Sequence, residues 1–370
     1  MGKIKILPQD LVNKIAAGEV VEKPASIVKE LLDNSFDAQA NQITVDIEEG
    51  GIKKIHIVDN GTGMDSEDAK LAFHSHATSK ISTDDDLLNI KSFGFRGEAL
   101  SSIAAVSKVT LKTRTSQNNL ATEIKIEGGE VISVSETGGS VGTSILIEDL
   151  FYNVPARKQF LRAAPSEYKD ILDVVNAHAM AKPDVGMTLI NNGRTVFSFP
   201  KNHQLEDRVR EIIGNDYYEK LIPLFYEHPH LEIYGFTGKP ELASERKKHQ
   251  YIFVNKRNIE NKSISFAVKN AYGSLIPKNT YPMFFVFIDV QPNIVDVNVH
   301  PRKEEVKFTN EHLIFDSVQS AVKKSLDRAN LTPGSLPGAA GGFPPQPVGI
   351  PGMPSQFNSP FRNYGSVSPA

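Results

Sequence analysis

Residues 24–38, PASIVKELLDNSFDA, read as a helix, and the rest of the chain is best understood outward from it. Pro24 suits a first turn, where its missing N–H leaves nothing unpaired. On a helical wheel Val28, Leu31, Leu32 and Ser35 fall on one side, with Phe36 at its edge. Glu30, Asn34 and Asp37 gather on the other. Spacings of four and three bring those three polar side chains onto one face. Glu can serve as a general base on water. Asn offers a neutral oxygen to a hard cation such as Mg²⁺, which retains several of its waters. By itself, such a stripe reads first as the solvated face of an amphipathic helix, because most such stripes face solvent.

Two strands follow. Ile43, Val45 and Ile47 alternate, Gly50-Gly51 turns the chain, and Ile55 and Ile57 alternate back. The second strand ends on Asp59, then Asn60-Gly61-Thr62-Gly63. A carboxylate at a strand end can accept a hydrogen bond from an exocyclic amine such as that of adenine. Gly61 and Gly63 would let backbone approach a flat ring. An Asx-type turn explains the same residues. A third segment, Phe93-Gly94-Phe95-Arg96-Gly97-Glu98-Ala99-Leu100, runs into a helix. Glycine-rich backbone at a helix start presents N–H donors to phosphates. It lacks the Gly-Lys-Ser/Thr of a Walker A loop, and an ordinary loop-to-helix entry remains the alternative.

Further along, helices are expected near 66–74, 84–89 and 98–106. Strands are expected near 108–115, 121–127, 130–136 and 143–148. A helix over 165–181 precedes a hairpin turning at Asn191-Asn192-Gly193. The helix Gln204–Gly214 could join either of two blocks. The second block has strands at 231–237, 250–255, 283–290 and 294–299 and helices near 261–273 and 310–328. The mixed order of strands and helices predicts two α+β domains and argues against a doubly wound parallel sheet. The expected division is an arm over 1–20, a first domain over 21–215, a second over 216–330 and a tail over 331–370. That tail holds 9 Pro and 7 Gly, with Arg362 its only charge. Such a composition buries too little apolar surface to offset its ordering entropy, so the tail reads as a disordered linker to something further.

Composition removes several classes of function. There is no Cys among the 370 residues, which excludes disulfides, thiolate catalysis and Cys-ligated metal sites. The longest apolar run, Met283 to Ile288, is far too short for a bilayer, and the first residues lack a signal-peptide core. A cytoplasmic protein with no membrane partner is expected. A net charge of −3 means that any DNA contact comes from a local patch. Arg246, Lys247, Lys248, Lys256, Arg257, Lys262 and Lys269 form such a candidate patch, without aromatic interleaving of the kind that stacks single-stranded bases. A solvated basic face is the plain alternative.

Order and spacing are more specific than any single segment. ELLDNSFDA, DNGTGM, HATSK, GFRGEAL and Gly142-Thr143 together resemble the N-box and glycine boxes of the GHKL ATPases. The opening LPQDLVNKIAAGEVVEKPASIVKELLDNSFDA, LFYNVPARKQFL and VDVNVHPRKEEVKF resemble the MutL branch of that superfamily, over about residues 4–328. The resemblance implies a Bergerat-type ATPase sandwich followed by a ribosomal-protein-like α/β domain. It implies ATP and Mg²⁺ as cofactors, Glu30 as the base acting on water and Asn34 as the metal ligand. Asp59 would recognise the adenine amine beside Gly61 and Gly63, with Thr143 in support. Thr78, Ser79 and Lys80 would surround the phosphates with the backbone of Gly94, Phe95, Arg96, Gly97, Glu98, Ala99 and Leu100, and Asp37 would stand behind them. Lys303, locally a solvated loop lysine after the strand through Val295, Val297 and Val299, would place a charge on the γ-phosphate.

The implied function is an ATP-dependent switch of DNA mismatch repair. It would hydrolyse ATP slowly, dimerise with nucleotide, meet mismatch-recognition and downstream repair proteins, and touch DNA mainly at phosphates through Arg257, Lys262 and Lys269. Nuclease activity is not expected of this chain. A non-enzymatic DNA-binding scaffold, or another GHKL ATPase of chaperone or topoisomerase type, is the alternative. Among the departures from the family pattern is Lys256 in FVNKRNI, where relatives often have Gly; a turn there that needs positive φ would strain it.

Overall fold

The computed structural model describes residues 17–18, 20–80, 97–201, 204–291, 294–296 and 306–331. The arm (save 17, 18 and 20), the helix expected at 84–89, Gly94, Phe95, Arg96, Lys303 and the tail beyond Leu331 lie outside the described residues. The chain divides into two compact units, with the break between Tyr218 and Glu219.

In the first unit, α1 (Pro24–Asp37) leads into β1 (Gln42–Glu48), β2 (Lys54–Asp59) and a short α2 (Ser66–Leu71). After α3 (Ala99–Ala105) come β3 (Lys108–Arg114), β4 (Ala121–Glu127), β5 (Glu130–Thr137) and β6 (Gly142–Glu148). Then follow α4 (Pro155–Phe160), α5 (Ala164–Ala181), β7 (Gly186–Asn191), β8 (Arg194–Phe199), α6 (Leu205–Ile213) and α7 (Asn215–Tyr218). The helix expected over 66–74 stops at Leu71. Asp65 starts it by accepting from the N–H groups of Glu67 and Asp68, both at 2.9 Å.

The eight strands form one sheet in the order β5-β4-β3-β6-β2-β1-β7-β8. Every described neighbour pair is antiparallel except β1 with β7. Register builds the core as rows across this sheet. Ile47 faces Ile55, Ile55 faces Ile147, and Ile147 faces Val109. Val45, Ile57, Ile145 and Leu111 make the next row. Alternation then places Ile43, Asp59, Thr143 and Thr113 in a third row on the same face. Apolar side chains therefore give way to a polar row at one end of the buried face. Val28, Leu31 and Leu32 of α1 and Ile171 and Val175 of α5 join the sheet residues in one core. Each such side chain contributes about 1.5–3 kcal/mol when fully buried.

Helix α6, which the sequence leaves between two blocks, is pinned to the first unit by Arg208. That side chain is fully buried. Its Nη2 donates to the carbonyls of Pro183, Val185 and Pro200 at 3.0, 3.1 and 3.1 Å. Its guanidinium also lies 4.7 Å over the Phe199 ring.

The second unit carries β9 (Leu221–His228), β10 (Leu231–Gly238), β11 (Gln250–Val254), β12 (Arg257–Ile259), α8 (Lys262–Tyr272) and β13 (Phe284–Val290). The two-residue strands β14 (Val295–Asp296) and β15 (Lys307–Phe308) and the helix α9 (Glu311–Arg328) complete it. Of the strand expected over 294–299, Val295 and Asp296 are the described strand residues, and 297–299 lie outside. The five-stranded sheet runs β12-β11-β13-β10-β9, with β11 and β13 parallel. Phe284, Val286 and Ile288 share a core with Val268 of α8 and Val318 of α9. The alternate residues form an aromatic ladder, with Phe287 4.3 Å from Phe253 and 5.2 Å from Tyr234.

Strands β11 and β12 join through Asn255 and Lys256, and Val254 pairs with Arg257. Both turn residues have positive φ, 47° and 67°. A two-residue hairpin with that backbone favours Asn-Gly, so Lys256 is strained. Lys256→Gly is expected to stabilise the second unit by about 0.5–1 kcal/mol, the relieved strain less the added freedom of the unfolded chain. Chemical denaturation with an unchanged or lower midpoint would contradict this.

Candidate functional site

The polar row at the end of β2 is the centre of the site. Asp59 is buried, and its two carboxylate oxygens have separate donors. The Gly61 N–H donates to Oδ1 at 2.9 Å, and the Ser35 hydroxyl donates to Oδ2 at 3.0 Å. Burial pushes the carboxyl above its usual range, and hydrogen bonds from Gly61, Ser35 and the Thr143 backbone pull against it. Thr113 holds the neighbouring strands together. It accepts from the Met64 N–H at 2.9 Å, donates to the Gly142 carbonyl at 3.1 Å and lies 3.0 Å from the Thr143 hydroxyl.

Two glycines shape the backbone here. Gly63 has φ 68°, and a Cβ on it would sit 2.1 Å from the Arg114 carbonyl oxygen. Gly142 has φ 114°, and a Cβ there would sit 2.1 Å from the Asp59 carbonyl oxygen. Any side chain at either position would push these strands apart. Asn60 belongs to the turn: its Oδ1 accepts from the N–H groups of Asn41 and Gln42 at 3.0 and 2.9 Å.

Helix α1 supplies the second wall. Ser35, on its buried face, ties it to Asp59, while Glu30, Asn34 and Asp37 are half-buried rather than fully solvated. Lys80 reaches this stripe. Its Nζ donates to Asn34 Oδ1 at 2.9 Å and to Asp37 Oδ2 at 2.5 Å. Its own N–H donates to Thr78 Oγ1 at 3.2 Å, and Ser79 is exposed. On the flank of the stripe Asp33 turns into the seam with α5. His178 Nε2 lies 3.1 Å from Asp33 Oδ1 there, and His178 Nδ1 donates to the Val174 carbonyl at 2.8 Å.

The start of α3 returns to the same segment. The His76 N–H donates to the Gly97 carbonyl at 3.0 Å, and His76 Nδ1 lies 3.2 Å from Glu98 Oε1. Ala99 and Leu100 open the helix, where N–H groups have no acceptor within the helix itself. The structure thus ties Asn34 and Asp37 to Lys80 and Thr78, and Asp59 to Gly61 and Thr143. It joins Gly97 and Glu98 to the segment that leads to them.

Ser35, Thr113 and His178 are additions that the sequence reading missed. A lone Ser on an apolar helix face, and a Thr in phase with Val109 and Leu111, were the available signals. The donor set also fits a hard cation. Asn34 Oδ1 and Asp37 Oδ2 converge on one positive charge, the Lys80 ammonium. Among the described residues no group of three or more His, Cys, Asp or Glu side chains could hold a metal ion. Among them, too, no helix is long and apolar enough to cross a membrane.

The basic residues of the second unit differ in freedom. Lys262 is exposed at the start of α8, whereas Lys269 donates to the Lys278 carbonyl at 2.8 Å. Tyr281 stands among them, with Lys269 and Lys247 at 4.6 and 5.4 Å from its ring.

Residues 22–136 match the family model described as histidine kinase-, DNA gyrase B- and HSP90-like ATPase. Residues 209–327 match the model of the DNA mismatch repair protein, C-terminal domain. The DNA mismatch repair protein MutL of Clostridium botulinum (strain Langeland) is 47% identical over 330 residues, 88% of this chain and 50% of that protein. A crystal structure titled as the N-terminal domain of a DNA repair protein superposes with a TM-score of 0.74 at 25% identity. It covers 86% of this chain and 99% of that one. The Aquifex aeolicus MutL ATPase domain complexed with ADP gives 0.58 at 26% identity, covering 81% and 98%.

Fold and site together define a chain of the GHKL class, a Bergerat-type sandwich followed by a mismatch-repair α/β domain. The chain spans about half the length of the curated relatives it matches. Within that class it belongs to the MutL family of DNA mismatch repair proteins.

Proposed function

We propose that this chain is the ATP-binding and hydrolysing region of a mismatch-repair switch. The observation that carries the reading is Asp59, a buried carboxylate with one donor on each oxygen, in the polar row where the apolar rows of the sheet end. A group so placed accepts a hydrogen bond from a flat base carrying an amine. Helix α1 leads from it, through Ser35, to Asn34 and Glu30, where the triphosphate would end. An ADP-bound relative with the same fold supports the nucleotide class.

Asn34 would hold Mg²⁺, and the ion when bound would neutralise charge on the phosphates. Glu30, one turn before Asn34, would orient and deprotonate the attacking water. Lys80, Thr78, Ser79 and the backbone from Gly97 to Leu100 would meet the phosphates. Thr143 supports the base end through Asp59. Contacts offered to nucleotide by one conformation alone shift the population toward it, which is how nucleotide state would govern dimerisation and partner engagement. The reading fails if purified protein neither binds a fluorescent ADP analogue nor releases phosphate from ATP with magnesium. Light scattering with and without a non-hydrolysable ATP analogue tests the dimer; an unchanged mass would remove that part.

DNA contact is proposed at Lys262, Lys269 and Arg257, to phosphates and without sequence preference. Lys262→Ala should weaken binding equally for unrelated duplexes and reduce the slope of log affinity against log salt by about one. Binding insensitive to salt would reject the patch.

A further inference from the structure

Lys80 lies on the same helix face that the nucleotide reading assigns to the metal. Its ammonium touches Asn34 Oδ1 at 2.9 Å and Asp37 Oδ2 at 2.5 Å. Asp37 is one turn beyond Asn34, so the two oxygens share a face. The pair is largely withdrawn from water, with side-chain exposures of 23% for Lys80 and 10% for Asp37. That distinguishes it from a solvated surface pair, whose geometry is loosely held. The Lys80 backbone is tied as well, through its N–H to Thr78 Oγ1.

We infer that Asp37 is a positioning residue that holds Lys80 on Asn34 in the nucleotide-free protein, so that the ammonium stands where the metal must go. The inference rests on Asn34 being the metal ligand. An amide oxygen is a weak ligand without help from anions. The Lys80 ammonium occupies the Asn34 oxygen and repels a bare divalent ion there. A nucleotide changes the balance, because its phosphates offer Lys80 another anionic partner while bringing the cation with them. Lys80 leaves Asn34 as the metal arrives. Metal entry, nucleotide entry and movement of the segment carrying Lys80 then become one event. Free cations alone leave the site closed.

Mn²⁺ binding to the nucleotide-free protein, followed by loss of the free-ion electron paramagnetic resonance signal, tests this. Wild type should bind little Mn²⁺ at this site. Lys80→Met and Lys80→Ala should each lower the half-saturating Mn²⁺ concentration by roughly tenfold or more, the scale of repulsion removed between a unit charge and a divalent ion about 4 Å apart. Adding Asn34→Ala to Lys80→Met should abolish that gain, which places the ion on Asn34. A merely structural ion pair would alter melting temperature and leave Mn²⁺ affinity unchanged. Equal Mn²⁺ affinity in wild type and both Lys80 variants would overturn the inference. A parallel titration of wild type with ADP and magnesium separates the two failures. No ADP binding would sink the nucleotide reading itself, whereas ADP binding with equal Mn²⁺ affinities would sink this inference alone.

Discussion

Glu30→Ala should bind nucleotide and fail to turn it over, with phosphate release falling by roughly 10²–10⁴-fold, the usual worth of a general base. Its place on α1 explains why the two effects should separate. On the proposed reading the adenine end would depend on Asp59, which α1 reaches through the buried Ser35 hydroxyl. Glu30 is on the opposite, half-buried stripe and has no part in that bond. Alanine at position 30 keeps the helix, since Ala is the best helix former. The apolar seam of Val28, Leu31 and Leu32 is untouched. Melting temperature and ADP affinity should therefore stay close to wild type. ATP affinity should stay level or rise, because one negative charge near the phosphates is gone. Single-turnover phosphate release alongside a nucleotide titration measures both sides. Normal hydrolysis by the variant would remove Glu30 from the chemistry. Lost binding together with lost hydrolysis would make it a structural residue.

Local pattern carried most of this fold. Alternation in Ile43-Val45-Ile47 and Ile55-Ile57 marked the strands, and Asp59 stood out as a carboxylate at a strand end followed by Gly61 and Gly63. Partners across the sheet were a different matter. β1 pairs in parallel with β7, whose residues lie more than a hundred positions later in the chain. Nothing local to either strand encodes that register; it follows from closing long loops around a shared core. The same limit hid Ser35 and Thr113. Periodicity assigns each to a buried face, and a small polar residue on such a face is commonplace. Only the row Asp59, Thr143, Thr113 gives them their partners. Lys80 was legible as a basic residue within HATSK, but not as the cation held by Asn34 and Asp37. Lys256 went the other way. Its departure from glycine was visible in the sequence, and its φ of 67° supplied the physical consequence.

Asp59→Asn should lower nucleotide affinity by about 10²–10³-fold while leaving the protein folded. The surrounding donors decide how an amide would sit. The Gly61 N–H needs an acceptor at the Oδ1 position, 2.9 Å away, and that position is backbone-fixed. The substituted amide must turn its oxygen there, which puts its NH₂ where Oδ2 now accepts from Ser35. Ser35 can adapt, because a hydroxyl rotates to accept as readily as it donates. An exocyclic amine on the ligand cannot adapt and would meet donor against donor. Losing a charge-assisted hydrogen bond and stranding a buried donor together cost about 3–4 kcal/mol, hence the expected range. Folding should not suffer, because burial already disfavours the ionised carboxyl: Asp59 is raised above its usual pKa. The sign of that shift means that ionised Asp59 costs folding stability above its unfolded pKa. A neutral amide removes that cost. Acid should reproduce the variant's effect in the wild type. As pH falls through the raised pKa, Asp59 loses its charge, and affinity should decline at a higher pH than an ordinary carboxylate would dictate. Fluorescent-nucleotide titrations of both proteins across that range, with thermal unfolding in parallel, decide the matter. Wild-type affinity in Asp59→Asn would place the base elsewhere, and a collapsed melting transition would reduce Asp59 to a strand-end brace.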